Sequence, residues 1–179
     1  MAHAVPPVYW QAAQTILHGL GIRPTTVNLK LLVSWFVRER GWTNLTHNPL
    51  DSVLRAPGST PLPGNPAGVQ VYPTLTEGLR ADTETLQAAY YAPLRAALRT
   101  SDTTAWFSAT TPFSYALCGA PYCAGTPAYL AGMRSLYDQL PTPPAAYLKA
   151  PGSPNAPIPN PVLLAALAVV GLIVVVEAI

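Results

Sequence analysis

The chain has 179 residues, ten basic and eight acidic, for a formal net charge of +2, and only 10% of its residues are charged. That length holds one compact domain with appendages, not two full domains. So small a charge, with basic residues scattered singly and no polybasic run, gives no electrostatic basis for a nucleic-acid partner and marks no anionic-lipid patch.

The first ten residues carry no basic n-region and no apolar h-region, so no secretory signal peptide is expected. Residues 9–20 read as a first helix closed by Gly21. Thr26 is placed to cap a second, 27–40, whose Leu29, Leu32, Val33 and Phe36 follow the i, i+3, i+4, i+7 pattern; Gly41 ends it. A long loop rich in Pro and Gly follows over 42–73. Thr74 and Glu77 have capping-box spacing and open a helix expected to run to about residue 90, with Pro93 as its boundary. A short helix is expected over 94–99, and another after Asp102 as N-cap, through 106–108. Thr126, with Pro127 after it, reads as the N-cap of a helix to about residue 140.

Twenty-one prolines cluster at 57–66, 141–144 and 151–161. Proline removes a donor and clashes with the preceding turn, so these stretches are expected to be stiff connections between short helices. Beyond the last cluster, 162–176 is an unbroken run of 15 apolar residues, followed by Glu177, Ala178 and Ile179. As a helix the run spans about 22 Å, against a hydrocarbon core of roughly 30 Å. A short C-terminal transmembrane helix is therefore expected, with Glu177 near the far interface. The organisation read from the sequence is a helical domain over 1–140, a Pro-rich linker over 141–161 and a membrane anchor over 162–179.

Cys118 and Cys123 are close enough in sequence for a local disulfide, and free thiols are equally open. Two cysteines are too few for a structural zinc site, and His3, His18 and His47 lack paired spacing, so neither a metal nor a cofactor is expected. No Gly-x-Ser-x-Gly elbow and no phosphate loop occurs in the chain.

Glu39 stands out by position. It falls in the last turn of an apolar helix, four residues after Trp35 and three after Phe36, so it projects beside aromatic rings. A carboxyl shielded from water holds its proton to higher pH, as a general acid must near neutrality. The competing reading is a surface glutamate weakly paired with Arg38 and Arg40.

Trp35 and Glu39 are followed in order by His47-Asn48-Pro49-Leu50, Gly64-Asn65, Gly68-Val69-Gln70-Val71-Tyr72, Glu77-Gly78-Leu79, Thr85-Leu86 and Tyr91. This set resembles the lysozyme-like domain of phage tail and virion proteins, over about residues 27–108. The resemblance implies an all-α lysozyme-like fold with long Pro/Gly-rich loops, similar to soluble lytic transglycosylases and goose-type lysozymes, acting on peptidoglycan. It implies that Glu39 is the catalytic acid and that the substrate-binding residues are Trp35, Asn48, Gly68 and Tyr72. Asn48 would orient a sugar, Tyr72 would face the cleft, and Gly68 would let the backbone approach. No second carboxylate is needed where the substrate's N-acetyl group assists, although Asp51 is available as a base for water. Arg40 departs from the small residues that follow the acid in many relatives. Asn48 also reads as a turn former and Tyr72 as a packing residue.

The expectation is a membrane-anchored virion enzyme, a lytic transglycosylase or muramidase, that opens the cell wall during entry. Its partners would be peptidoglycan, the lipid bilayer of a virion's internal membrane and capsid proteins. The rival is an inactive structural protein that links capsid and membrane.

Overall fold

A computed structural model describes residues 4–42, 47–119 and 123–150. Seven α-helices form among them: α1 (Pro7–Gly19), α2 (Thr26–Arg40), α3 (Leu75–Gln87), α4 (Ala92–Thr100), α5 (Thr103–Ser108), α6 (Thr110–Cys118) and α7 (Thr126–Gln139). One small antiparallel ladder, β1 (Thr60–Pro61) with β2 (Gln70–Val71), interrupts the expected all-α plan inside the 42–73 loop, pairing Thr60 with Val71 and Pro61 with Gln70.

The core is built around α2. From Leu29 to Val37 every residue except Lys30 is buried, Ser34 included, so the helix is covered on all sides instead of along one stripe. Helices α1, α4, α5 and α7 surround it. Its start is one residue earlier than Thr26 suggested. Thr25 is the N-cap, accepting the Asn28 N–H at 3.1 Å, while Asn28 Oδ1 accepts the Thr25 N–H at 2.7 Å. Asn28 thus fills the place usually held by glutamate in a capping box. Its amide also donates to Arg23 O at 2.9 Å and Leu98 O at 3.3 Å, which ties the cap to α4.

Other boundaries moved for identifiable reasons. Thr74 caps α3 as expected, accepting the Glu77 N–H at 3.2 Å; the Glu77 carboxylate takes the Thr74 hydroxyl at 2.8 Å. Helix α3 stops at Gln87 because Ala88 turns extended, and residues 89–91 form a 3-10 turn. Arg95 holds that break by donating to the Leu86 and Ala88 carbonyls. Asp102 caps α5 through the Ala105 N–H at 2.9 Å. Thr126 is inside the first turn of α7, not its cap, because its hydroxyl bonds Ser114 Oγ at 2.9 Å in the buried contact with α6. Helix α6 has no counterpart in the sequence reading. It carries no side-chain cap, and buried Phe113 anchors it.

Residues 141–149, read as the start of a free linker, are packed onto α1. Tyr147 and Leu148 cover the core. Gln14 Nε2 donates to Tyr147 O at 3.1 Å, and His18 Nε2 lies 3.3 Å from Lys149 O. The domain therefore extends about nine residues past Leu140. Among the described residues no helix is long and apolar enough to cross a membrane, and the 162–176 run lies outside them.

Candidate active site

Four residues separate Trp35 from Glu39 on α2, so one turn of helix brings the indole beside the carboxyl. Trp35 Nε1 donates to Glu39 Oε1 at 3.1 Å. The indole is fixed by its neighbours, with ring centroids of Tyr91 at 6.1 Å, Trp106 at 5.8 Å and Phe113 at 5.0 Å. A second donor arrives from α7, where the Tyr129 hydroxyl bonds the same carboxylate oxygen. Among the described residues no donor reaches Oε2. Glu39 thus has one oxygen held by two neutral groups and the other uncommitted.

The two neighbouring arginines are engaged elsewhere. The Arg38 guanidinium lies over the Tyr129 ring, 5.1 Å from its centroid. Arg40 pairs with the Asp51 carboxylate and donates through Nε to Asn48 O at 3.2 Å. Burial raises the Glu39 pKa above the usual carboxylate range. The Tyr129 bond opposes this, the Asp51 charge adds to it, and the Trp35 bond and the Arg40 charge oppose it. Burial, with the Glu39 charge, also pushes the Tyr129 hydroxyl well above its ordinary value, so it keeps its proton and remains a donor. The chemical capacity of this arrangement is that of a general acid: a partly desolvated carboxyl, oriented through one oxygen, that holds its proton above the usual carboxylate range.

The other expected site residues are placed differently. Asn48 is 1% exposed. Its amide donates to Ser52 O at 2.8 Å and Gln70 O at 2.7 Å, and its Oδ1 accepts the Ser52 N–H at 2.7 Å. That is a loop clasp joining the Asn-Pro-Leu turn to β2, and it leaves little capacity for a sugar. Tyr72, also 1% exposed, points inward and donates to Leu54 O at 2.5 Å; it does not face a cleft. Gly68 has φ of +77°, and a Cβ there would meet nothing within 4 Å. Its role is a left-handed turn, not close approach. The close approach is at Gly78, where a Cβ would fall 1.4 Å from His47 O. Asp51 is held by Arg40 in a left-handed conformation, φ 55°, and burial raises its pKa against that arginine's pull.

Two residues escaped the sequence reading. Tyr129 is 90 positions from Glu39, and no local pattern links them. Asp82, on α3, is fully buried; its Oδ2 accepts the Leu50 N–H at 3.3 Å, and its Oδ1 has no partner. Burial raises its pKa well above the carboxylate range, against the pull of the Leu50 N–H that seats the 48–52 turn on it. Its only sequence signal was an acidic residue at a core position of a helix whose remaining charges point outward.

Cys118 and Cys123 form a disulfide, with Cα atoms 6.1 Å apart, linking the end of α6 to the approach to α7. Among the described residues no three His, Cys, Asp or Glu side chains gather as a metal set. No protein-family model, no curated protein and no solved structure matches the chain.

Proposed function

We propose that the chain is a lysozyme-like peptidoglycan-cleaving enzyme, held to a membrane by its 162–176 apolar run, with Glu39 as the general acid. The observation that carries this reading is the Glu39 carboxyl itself. It is half-buried, shifted toward the protonated form, fixed through Oε1 by Trp35 and Tyr129, and unpaired with the arginines on either side. Such a carboxyl can protonate a glycosidic oxygen. No second carboxylate is fixed beside it, since Asp51 is paired with Arg40, so the substrate's own N-acetyl group is the natural assistant. The role fits a virion protein that opens the wall close to its own membrane. The test is clearing of a peptidoglycan zymogram by the full-length chain, with Glu39→Gln abolishing it.

A second reading has specific support. The side chains of Asn48 and Tyr72 are committed to backbone carbonyls of the loop, an arrangement that serves a scaffold. On this reading the chain is a structural virion protein linking capsid and membrane. Peptidoglycan left intact by the wild-type chain at every pH from 4 to 9 selects it.

A further inference from the structure

Both groups that hold Glu39 Oε1 are placed by the pair α6 and α7. Tyr129 is on α7, and Phe113 of α6 packs on both donors, with its ring centroid 5.0 Å from Trp35 and 6.1 Å from Tyr129. The end of α6 and the approach to α7 are joined by the Cys118–Cys123 bridge, across a sequence separation of 5. Cys118 is the last residue of α6, and the Cys123 carbonyl accepts the N–H of Thr126, the first residue of α7, at 3.0 Å. One turn on, the Tyr129 N–H bonds Gly125 O at 3.0 Å. The junction is tight, since a Cβ on Gly125 would fall 3.3 Å from Leu117 Cδ2.

The bridge lies at the surface. Cys118 is exposed and Cys123 half-buried, so a thiolate in solution has access to it at Cys118. The loop it closes is short, and a short loop gains the least chain entropy from a crosslink. Opening the bridge should therefore leave the core standing. That core has its own ties: Ser114 Oγ and Thr126 Oγ1 meet at 2.9 Å in a buried contact, and Trp106 and Phe113 pack with centroids 5.4 Å apart. What the bridge sets is the placement of the start of α7 against the end of α6, and from that first turn Tyr129 reaches Glu39.

We propose that the Cys118–Cys123 bridge is a redox switch on the acid: a dithiol that opens it loosens the start of α7 and withdraws the Tyr129 hydroxyl from Glu39. The inference rests on Glu39 as the proposed general acid and adds how that acid is regulated. The step is thiol–disulfide exchange. A thiolate of the dithiol attacks Cys118 Sγ, the exposed sulfur, and Cys123 leaves as a thiolate. The second thiolate of the dithiol then attacks the mixed disulfide and releases Cys118. The bridge bond breaks, the dithiol closes as a cyclic disulfide, two electrons pass to the chain, and its two thiolates take the protons the dithiol gave up. The consequence for Glu39 has a definite sign. The Tyr129 bond lowers its pKa, so withdrawing that bond raises it, and the reduced chain holds the proton to higher pH. The other ionisable groups about Glu39 are Arg38 and Arg40 on α2, Asp51 in the 47–72 loop and Tyr91 in the 3-10 turn; none is on α6 or α7.

The experiment is titration of the Glu39 carboxyl in the full-length chain in lipid nanodiscs, with carbon-13 at the glutamate carboxyls and an infrared readout. Glu39→Gln identifies its band. Samples are kept oxidised or treated with dithiothreitol, and thiol counting reports the opened bridge. The midpoint should shift upward on reduction, and the Cys118→Ser, Cys123→Ser double variant should show the raised midpoint without reductant. Tyr129→Phe should begin at a raised midpoint and shift no further. A bridge that is only a staple would lower the melting temperature in every background and leave the midpoint where it was. An unchanged midpoint in both the reduced chain and the double variant overturns the switch, as does a shift that persists in Tyr129→Phe. A bridge that excess dithiothreitol leaves closed in the folded chain overturns it too, and so does loss of helical signal by both the reduced chain and the double variant. The outcomes separate from those of the activity test. A midpoint that moves in a chain that clears no peptidoglycan keeps the redox coupling and removes the glycosidase reading; clearing with a midpoint indifferent to the bridge does the reverse.

Discussion

The last two turns of α2 and the 47–72 loop carry all five residues of the expected site, and they are built in opposite ways. In the loop every informative polar group is committed to the protein: three bonds from the Asn48 side chain, one from Tyr72, and a clasp across Ser52. At the end of α2 the Glu39 carboxyl is held by one oxygen only, in surroundings that disfavour its charge. Buried polar groups with full hydrogen bonding hold a fold together. A perturbed carboxyl with an uncommitted oxygen is unfavourable for stability and useful for chemistry. The difference teaches that residue type at a motif position does not decide role; the partners its atoms already have do.

Substitutions that separate activity from stability put this contrast at risk. The largest effect is expected for Glu39→Gln, which should lower peptidoglycan cleavage by about 10²–10⁴-fold, the usual range for a general acid. Its melting temperature should not fall. If melting collapses while residual clearing tracks the folded fraction, the two regions are alike after all. Asn48→Ala should show the reverse, costing roughly 2–3 kcal/mol in denaturant unfolding because Ser52 and Gln70 lose buried partners. Its cleavage rate per folded molecule should remain near wild type, and a loss of rate without loss of stability would restore Asn48 to the site.

Tyr129→Phe should act between these extremes. The Tyr129 bond lowers the Glu39 pKa, so its removal should move the alkaline limb of the cleavage pH profile upward. A profile that does not move would detach Tyr129 from the acid. The smallest effect belongs to Asp82. Its folded pKa lies above its unfolded one, so it contributes stability that is present at low pH and lost as pH rises through the folded value. Asp82→Asn should therefore flatten the decline in stability above about pH 4, read by urea unfolding at several pH values.

The features legible in the sequence were those set by neighbours within one helical turn. Thr74, Asp102 and Gly41 mark helix ends by chemistry that acts over three or four residues, and Trp35 with Glu39 is a single-turn pair. Whatever depended on distant packing was not. Thr126 was misread because its hydroxyl faces α6, and Tyr129 reaches Glu39 only once α7 lies along α2. Asn48 and Tyr72 each carried two readings because a turn clasp and a sugar contact call for the same residue types, and only the packed chain places their side chains on backbone partners of the loop. Residues 141–149 were given to a linker on their prolines, yet Tyr147 and Leu148 supply enough apolar surface to seat the segment on α1.

That seated segment gives the domain a front and a back. At one end of α1 the Tyr9 hydroxyl donates to Gly41 O at 2.6 Å, two residues past the acid; at the other, His18 meets Lys149 as the chain departs. Nine residues of helix separate these points, about 14 Å. A pull on the chain at Lys149 is therefore borne at the end of α1 remote from Glu39.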